Sequence, residues 1–217
     1  NHMLALGIND VIKQDRVKKY FNSFSIYDHN LKIINSYKKV NLVPFGEFLP
    51  FEKILRQIGL KNITNNYQPY SRGEKRNIIE INKFNLSIKL LPLICYEIIY
   101  SGNIFTDRNF DFIVNISEDG WFGQSIGPQQ HFAHSIYRAI ESGKYVLRSA
   151  NNGITAIVNP LGFVEKQVDL NQSGYVDFIE SKKMKQTIFS KYGNKIFGLM
   201  ILLYILLIFS FNRIKNE

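Results

Sequence analysis

Along this chain of 217 residues, apolar positions fall mostly in short runs or alternate with polar ones at a period of two. Such patterns predict strands. A strand is expected in the short apolar run up to Ile8, followed by a polar, basic loop from Asn9 to Tyr20. The alternation over Phe21–Tyr27, the turn residues Asp28-His29-Asn30 and the run Leu31–Ile34 predict a hairpin. Ile78–Ile81 and Leu86–Leu90 predict a second hairpin. Further strands are expected over Asp111–Ser117, Tyr145–Arg148, Gly153–Val158 and Phe163–Val168. Helical spacing marks Phe51–Ile58, opened by Pro50 and stopped by Gly59, and Pro128–Ser142, capped by Gly143. Loops are expected at Tyr37–Pro50, which holds two prolines and a glycine, at the Asn-rich residues 61–77, and at the glycine-flanked Glu118–Gly123. The whole predicts a layered α/β domain.

Ile196–Phe211 is apolar on every face and free of charge, with Lys191, Lys195, Arg213 and Lys215 flanking it. It reaches the lower length of a spanning helix if Gly193 and Asn194 sit among the lipid headgroups. A transmembrane helix is therefore expected over 196–211. The chain divides into a domain over 1–181, a basic juxtamembrane segment over 182–195, the helix, and a tail over 212–217. Net charge is +9, and Lys182, Lys183, Lys185, Lys191 and Lys195 crowd just ahead of the apolar segment. Their acidic partner is read as a membrane surface, not nucleic acid.

The chemistry centres on Leu90–Tyr100, where a buried-strand run leads into Cys95, with Glu97 two positions on. A single cysteine excludes an internal disulfide and a thiolate zinc cluster. A free cysteine is also a good small hydrophobe, and this stretch alone leaves both readings open. The loop at Tyr37–Pro50 carries Lys39 and Glu47 among large apolar side chains, as an active-site edge or an ordinary salt pair would. His131 and His134 stand three apart on the expected helix with no third ligand evident, and are read as structural. Without GxGxxG, P-loop, HExxH or paired CxxC, neither a cofactor nor a metal is expected.

Four motifs together resemble the apolipoprotein N-acyltransferases, a membrane branch of the carbon-nitrogen hydrolase (nitrilase) superfamily. They are Tyr37-x-Lys39-x-x-Leu42-Val43-Pro44-Phe45-Gly46-Glu47, then Ile94-Cys95-Tyr96-Glu97, then Asn115-Ile116-Ser117-x-Asp119-x-Trp121-Phe122-Gly123 running on to Gly127-Pro128-x-Gln130-His131, and Arg148-x-x-Asn151-Asn152-Gly153-Ile154-Thr155-Ala156. The resemblance implies a nitrilase-like αββα sandwich with a Glu-Lys-Cys triad. Cys95 matches the nucleophile and Lys39 the triad lysine, while Glu47, Tyr96 and Glu97 match supporting positions. It implies transfer of a fatty acyl chain from a phospholipid to the α-amine of an apolipoprotein's diacylglyceryl-cysteine. The place implied is the bacterial inner membrane, with the catalytic domain on the periplasmic side, although the lysines ahead of the apolar helix would by charge alone favour the cytoplasm. Phe45–Phe51 is a candidate wall or lid for acyl chains.

The triad glutamate implied by the resemblance has no counterpart in this sequence. The sandwich is accordingly expected to be truncated at its N-terminal side, with the remaining portion as a possible separate partner chain. Glu47 and Glu97 are the carboxylates considered as substitutes, and neither is assigned that role. Two other readings stand beside the acyltransferase: an inactive membrane-anchored remnant, and a nitrilase-type amidase acting on a small amide.

Overall fold

The computed structural model describes residues 2–14, 17–57, 69–83, 86–102, 109–179, 184–185 and 187–215. Strands β1 (Leu4–Gln14), β2 (Val17–Tyr27) and β3 (Ile33–Lys38) form an antiparallel three-stranded sheet in that order. The loop expected at Asn9–Tyr20 is instead the far half of a long hairpin, with Asn9 opposite Asn22 and Gln14 opposite Val17. Its polar residues hid the strands because this end of the hairpin is largely exposed, so no buried face imposes an apolar alternation. The expected hairpin forms at Asp28–Asn30, with Asp28 Oδ1 accepting from the Asn30 and Lys32 amides at 3.0 Å each. Its return strand is Ile33–Lys38 and not Leu31–Ile34, so Tyr37 and Lys38 belong to the strand and not to the expected loop.

The second sheet has the order β4 (Ile79–Lys83), β5 (Leu86–Ile94), β6 (Phe112–Glu118), β7 (Tyr145–Asn151), β8 (Thr155–Val158), β9 (Val164–Val168). β5, β6 and β7 run parallel, and the remaining pairs are antiparallel. Parallel strands need long crossovers and covered faces. Here helix α2 (Gly127–Ser142) supplies the crossover from β6 to β7 and packs Phe132 and Ala139 with Leu91, Leu93, Ile113 and Val146. Its end is as expected, with Gly143 left-handed at φ +67° and its amide on Ala139 O. A second core, between the sheets, joins Phe24, Ile26 and Tyr37 to Ile79, Ile81, Leu90 and Ile94. The ends of β5, β6 and β7 come out side by side, since Ile94 pairs with Ile116 and Glu118 with Asn151.

The fold is mixed α/β, with two stacked sheets and α2 as the described helix layer on the larger one. Helix α1 (Glu52–Gln57) is the short helix expected after Pro50. Its expected stop at Gly59, residues 61–68 of the expected 61–77 loop, Lys182 and Lys183 lie outside the described residues. After the short α3 (Ile188–Tyr192) comes α4 (Lys195–Lys215), whose apolar side chains from Phe197 to Phe211 are exposed. The expected transmembrane helix is not found in that form: among the described residues no helix is long and apolar enough to cross a membrane. Gly193 and Asn194, counted on to extend the apolar segment, lie in the turn ahead of α4.

Candidate active site

β5 is buried to its end, and at Cys95 the chain enters a short 3-10 turn, Cys95–Ile99. Cys95 itself has φ +50°, the left-handed region that a non-glycine residue occupies at a cost of roughly 1–2 kcal/mol. Such strain survives where surrounding contacts over-determine the conformation. Three buried side chains supply those contacts. Glu97 Oε2 accepts from Ile94 N at 2.9 Å, just ahead of the cysteine. His131 Nε2 lies 3.2 Å from the Cys95 carbonyl oxygen. Arg138 Nη1 donates to the carbonyls of Ile98, Ile99 and Tyr100, closing the far end of the turn. Cys95 is half-buried, packs against the core between the sheets and is in no disulfide.

Glu97 also ties this turn to the second stretch of interest. Its Oε1 accepts from Val40 N and Asn41 N at 3.0 Å each, from the Tyr37 hydroxyl at 2.7 Å and from Arg76 at 3.3 Å. One fully buried carboxylate thus fixes Cys95 and Lys39 in a common frame, binding the chain immediately before the first and immediately after the second. Lys39 is 1% exposed, and its Nζ donates to Glu47 Oε2 at 2.7 Å. Glu47 in turn accepts from Val43 N at 2.8 Å and Asn22 Nδ2 at 2.9 Å, so the 43–47 turn is folded around its carboxylate. Each oxygen of both glutamates accepts at least one of these hydrogen bonds, and among the described residues no hydrogen bond joins either carboxylate to the Cys95 thiol. Tyr37 titrates far above its ordinary range, through burial first and the neighbouring Glu97 charge second, so its hydroxyl stays a donor.

Gly73 closes the other side of Lys39. Its amide donates to Lys39 O at 2.8 Å, and a Cβ at this position would strike the Lys38 carbonyl. Gly73→Ala is therefore expected to push the Lys38–Lys39 backbone aside and to lower stability by about 1–3 kcal/mol, read from urea unfolding. An unchanged unfolding midpoint would show that the backbone gives way at no cost.

A polar network lies at the ends of β6 and β7. Arg148 donates from Nη2 to Asp119 Oδ2 at 2.6 Å, from Nε to Ile154 O at 3.1 Å and from Nη1 to Asn115 Oδ1. Asn115 Nδ2 donates to Leu93 O at 2.9 Å on the cysteine strand. Asp119 Oδ1 also accepts from Ser117 Oγ at 2.7 Å and faces His131 Nδ1 at 2.8 Å. Burial alone would raise the Asp119 pKa, but the His131 hydrogen bond and then the Arg148 charge overcome it and hold the carboxyl below its ordinary value. Gly153 permits this packing, since a Cβ there would strike Asp119 Oδ2. Tyr96, the remaining expected site residue, is half-buried and meets Tyr100 edge to face, ring centroids 5.5 Å apart.

The structure thus brings Cys95, Lys39, Glu47 and Glu97 into one hydrogen-bonded assembly, with Tyr96 on the same turn. His134 is half-buried, and burial lowers its pKa, with the Arg138 charge second. His131 differs, because it contacts the cysteine's own carbonyl. Its place in the Gly127-Pro128-x-Gln130-His131 motif was the one sequence signal for this. In the apolar loop, Leu49 is buried in the core, whereas Phe45 and Phe51 are exposed.

The arrangement matches known proteins in sequence and in fold. The chain is 38% identical over 217 residues to the apolipoprotein N-acyltransferase of Rickettsia prowazekii, covering 99% of this chain and 42% of that protein. It is 41% identical to the protein of the same name from Rickettsia bellii, with the same coverage. The chain therefore spans about two fifths of the length of these curated relatives. Among solved structures, Saccharomyces cerevisiae Nit3, a member of the nitrilase superfamily, superposes with a TM-score of 0.55 over 77% of this chain and 55% of that one, at 17% identity. This likeness concerns the fold. The sequence profile described as carbon-nitrogen hydrolase matches residues 1–178, most of the chain and all of the site described above. The chain belongs to the carbon-nitrogen hydrolase family.

Proposed function

We propose that this domain carries the acyl-transfer centre of an N-acyltransferase that matures lipoproteins, with Cys95 as nucleophile and Lys39 as the cation facing the developing oxyanion. The observation that carries this reading is the strained, half-buried Cys95 held in one frame with a buried Lys39 through Glu97. In the first step the Cys95 sulfur bonds to the ester carbonyl carbon of a phospholipid. The ester C–O bond breaks and the lysophospholipid leaves with a proton. In the second step the α-amine of an apolipoprotein's diacylglyceryl-cysteine attacks the thioester, the C–S bond breaks and the thiol is restored. A thiol of ordinary pKa is a few per cent thiolate at neutral pH, so the first step needs a proton acceptor. Glu47 and Glu97 are committed elsewhere, and we assign that role to a further glutamate contributed by another segment, in the same protein or in a partner chain. Lys39 lowers the cost of negative charge on the tetrahedral intermediate.

The name borne by the Rickettsia relatives supports the acyltransferase over an amidase. So does α4, whose all-round apolar exposure suits contact with lipid, with Lys191 and Lys195 at the headgroups. We place the domain at the bacterial inner membrane, on its periplasmic side. Phe45 and Phe51, and not Leu49, are the loop side chains available to acyl chains.

The test supplies the detergent-solubilised chain, together with the glutamate-bearing segment, with phospholipid and a lipopeptide bearing a free diacylglyceryl-cysteine amine, or with a small aliphatic amide, and analyses products by mass spectrometry. N-acylated lipopeptide and lysophospholipid from the parent, and none from Cys95→Ala, are expected. Ammonia release from the amide without lipid turnover would replace this reading by an amidase. A folded chain inert toward all donors would favour the anchored remnant.

A further inference from the structure

We infer that His131 is a positioning residue for Cys95, holding the carbonyl of the nucleophile's own peptide through Nε2 while the buried Asp119–Arg148 pair holds the ring. The inference rests on the reading of Cys95 as the nucleophile. With Cys95 in the left-handed region, the direction of its thiol depends on how the peptide that follows it is turned, and the Cys95 carbonyl marks that direction. His131 Nε2 is 3.2 Å from this oxygen, and the ring is 4% exposed. The ring cannot swing away. Nδ1 is 2.8 Å from Asp119 Oδ1 and 3.3 Å from Arg148 Nη2, and Phe122 packs on the ring with centroids 5.5 Å apart. Asp119 is anchored by Arg148 on its other oxygen, and Arg148 reaches the cysteine strand through Asn115 and Leu93 O. Asp119 Oδ1 and Arg148 Nη2 thus face Nδ1, and the Cys95 carbonyl faces Nε2.

This chain of contacts links three elements, the start of α2, the end of β6 and the middle of β7, to one backbone oxygen. A role confined to packing α2 would need the Asp119 side of the ring alone. The Cys95 side is the part that bears on chemistry, because displacements of the order of an ångström at a reacting atom carry large rate penalties.

The two ring nitrogens can be separated by substitution. The amide nitrogen of glutamine reaches the place of Nε2, and that of asparagine the place of Nδ1. The readout is the rate at which iodoacetamide alkylates Cys95, unambiguous because the chain has one cysteine, with thermal unfolding of each variant measured alongside. His131→Asn is expected to slow alkylation about fivefold, the value of one hydrogen bond, while His131→Gln stays within about twofold of the parent. Equal rates in both variants, or asparagine closer to the parent than glutamine, would overturn the inference and leave His131 a packing residue. A parent thiol that is inert in the folded chain and reactive in urea would instead count against Cys95 as the nucleophile. If neither variant folds, the parent decides: its ring Nε2–H resonance, in histidine-labelled protein, is expected to shift on alkylation of Cys95, and an unmoved resonance would overturn the inference.

Discussion

Glu97→Ala is expected to cost more than about 3 kcal/mol and to leave most of the domain unfolded, as followed by urea denaturation and circular dichroism. The carboxylate accepts from the Ile94, Val40 and Asn41 amides and from the Tyr37 hydroxyl, and it is wholly buried. Each buried donor left without an acceptor costs roughly 1–3 kcal/mol, and water cannot fill the gap without opening the inter-sheet core. Glu97→Gln separates folding from chemistry. Its carbonyl oxygen can keep the Tyr37, Val40 and Asn41 donors, but its amide group then meets the Ile94 N–H, donor against donor. The variant is expected to stay folded, lose about 1–2 kcal/mol, and acylate Cys95 at least about tenfold more slowly. Full activity in Glu97→Gln would mean that the Ile94 contact does not hold the cysteine turn in place.

Asp119→Ala is the second large effect, about 3–5 kcal/mol, because it leaves the Arg148 guanidinium charged and buried without its counter-ion. Arg148 is 2% exposed, and its pair with Asp119 is closed to solvent on both sides. The same pair sets an acid limit. The Asp119 pKa in the folded chain lies below its ordinary value of 3.8, so its contribution to stability is complete above that value. It is lost as pH falls through the lowered folded pKa. Stability measured from pH 6 down to pH 2 should therefore hold level with respect to this group until about pH 4 and then fall, with the fall diminished in Asp119→Asn. A parent and an Asp119→Asn variant with the same acid profile would contradict this assignment.

Much of the site was legible because it is built on strong local patterns. The apolar run into Cys95 could be recognised as a buried strand, since a parallel strand covered on both faces has no polar alternation to confuse it. Lys39 and Glu47 sat together in a loop whose prolines and glycine ruled out a regular element, and the structure pairs them. Other features depend on contacts between distant segments. Nothing near Glu97 in sequence says that its carboxylate will meet amides at positions 40 and 41. Gly73 lies in a loop that looks unremarkable until the Lys38 carbonyl is brought against it. His131 reads as structural in the sequence because a metal site would need a third ligand, whereas its partners are a backbone carbonyl and a carboxylate.

The errors have the same physical origin. Residues 9–14 and 17–20 form strands although they are largely polar, because backbone pairing in a hairpin requires no apolar side chains where the strands face solvent. The terminal apolar segment does become a helix, Lys195–Lys215, and the turn at Gly193 and Asn194 leaves those two residues outside it. Hydropathy measures apolar content along the chain and does not place a helix start, which depends on local backbone geometry.

The central claim, that Cys95 takes up an acyl group as a thioester, is tested most directly by the intact mass of the detergent-solubilised chain after incubation with the glutamate-bearing segment and phospholipid. The account predicts one added acyl mass, removed by neutral hydroxylamine and absent from Cys95→Ala. An acyl mass present in both chains, or absent from a folded parent supplied with the glutamate-bearing segment, would contradict it.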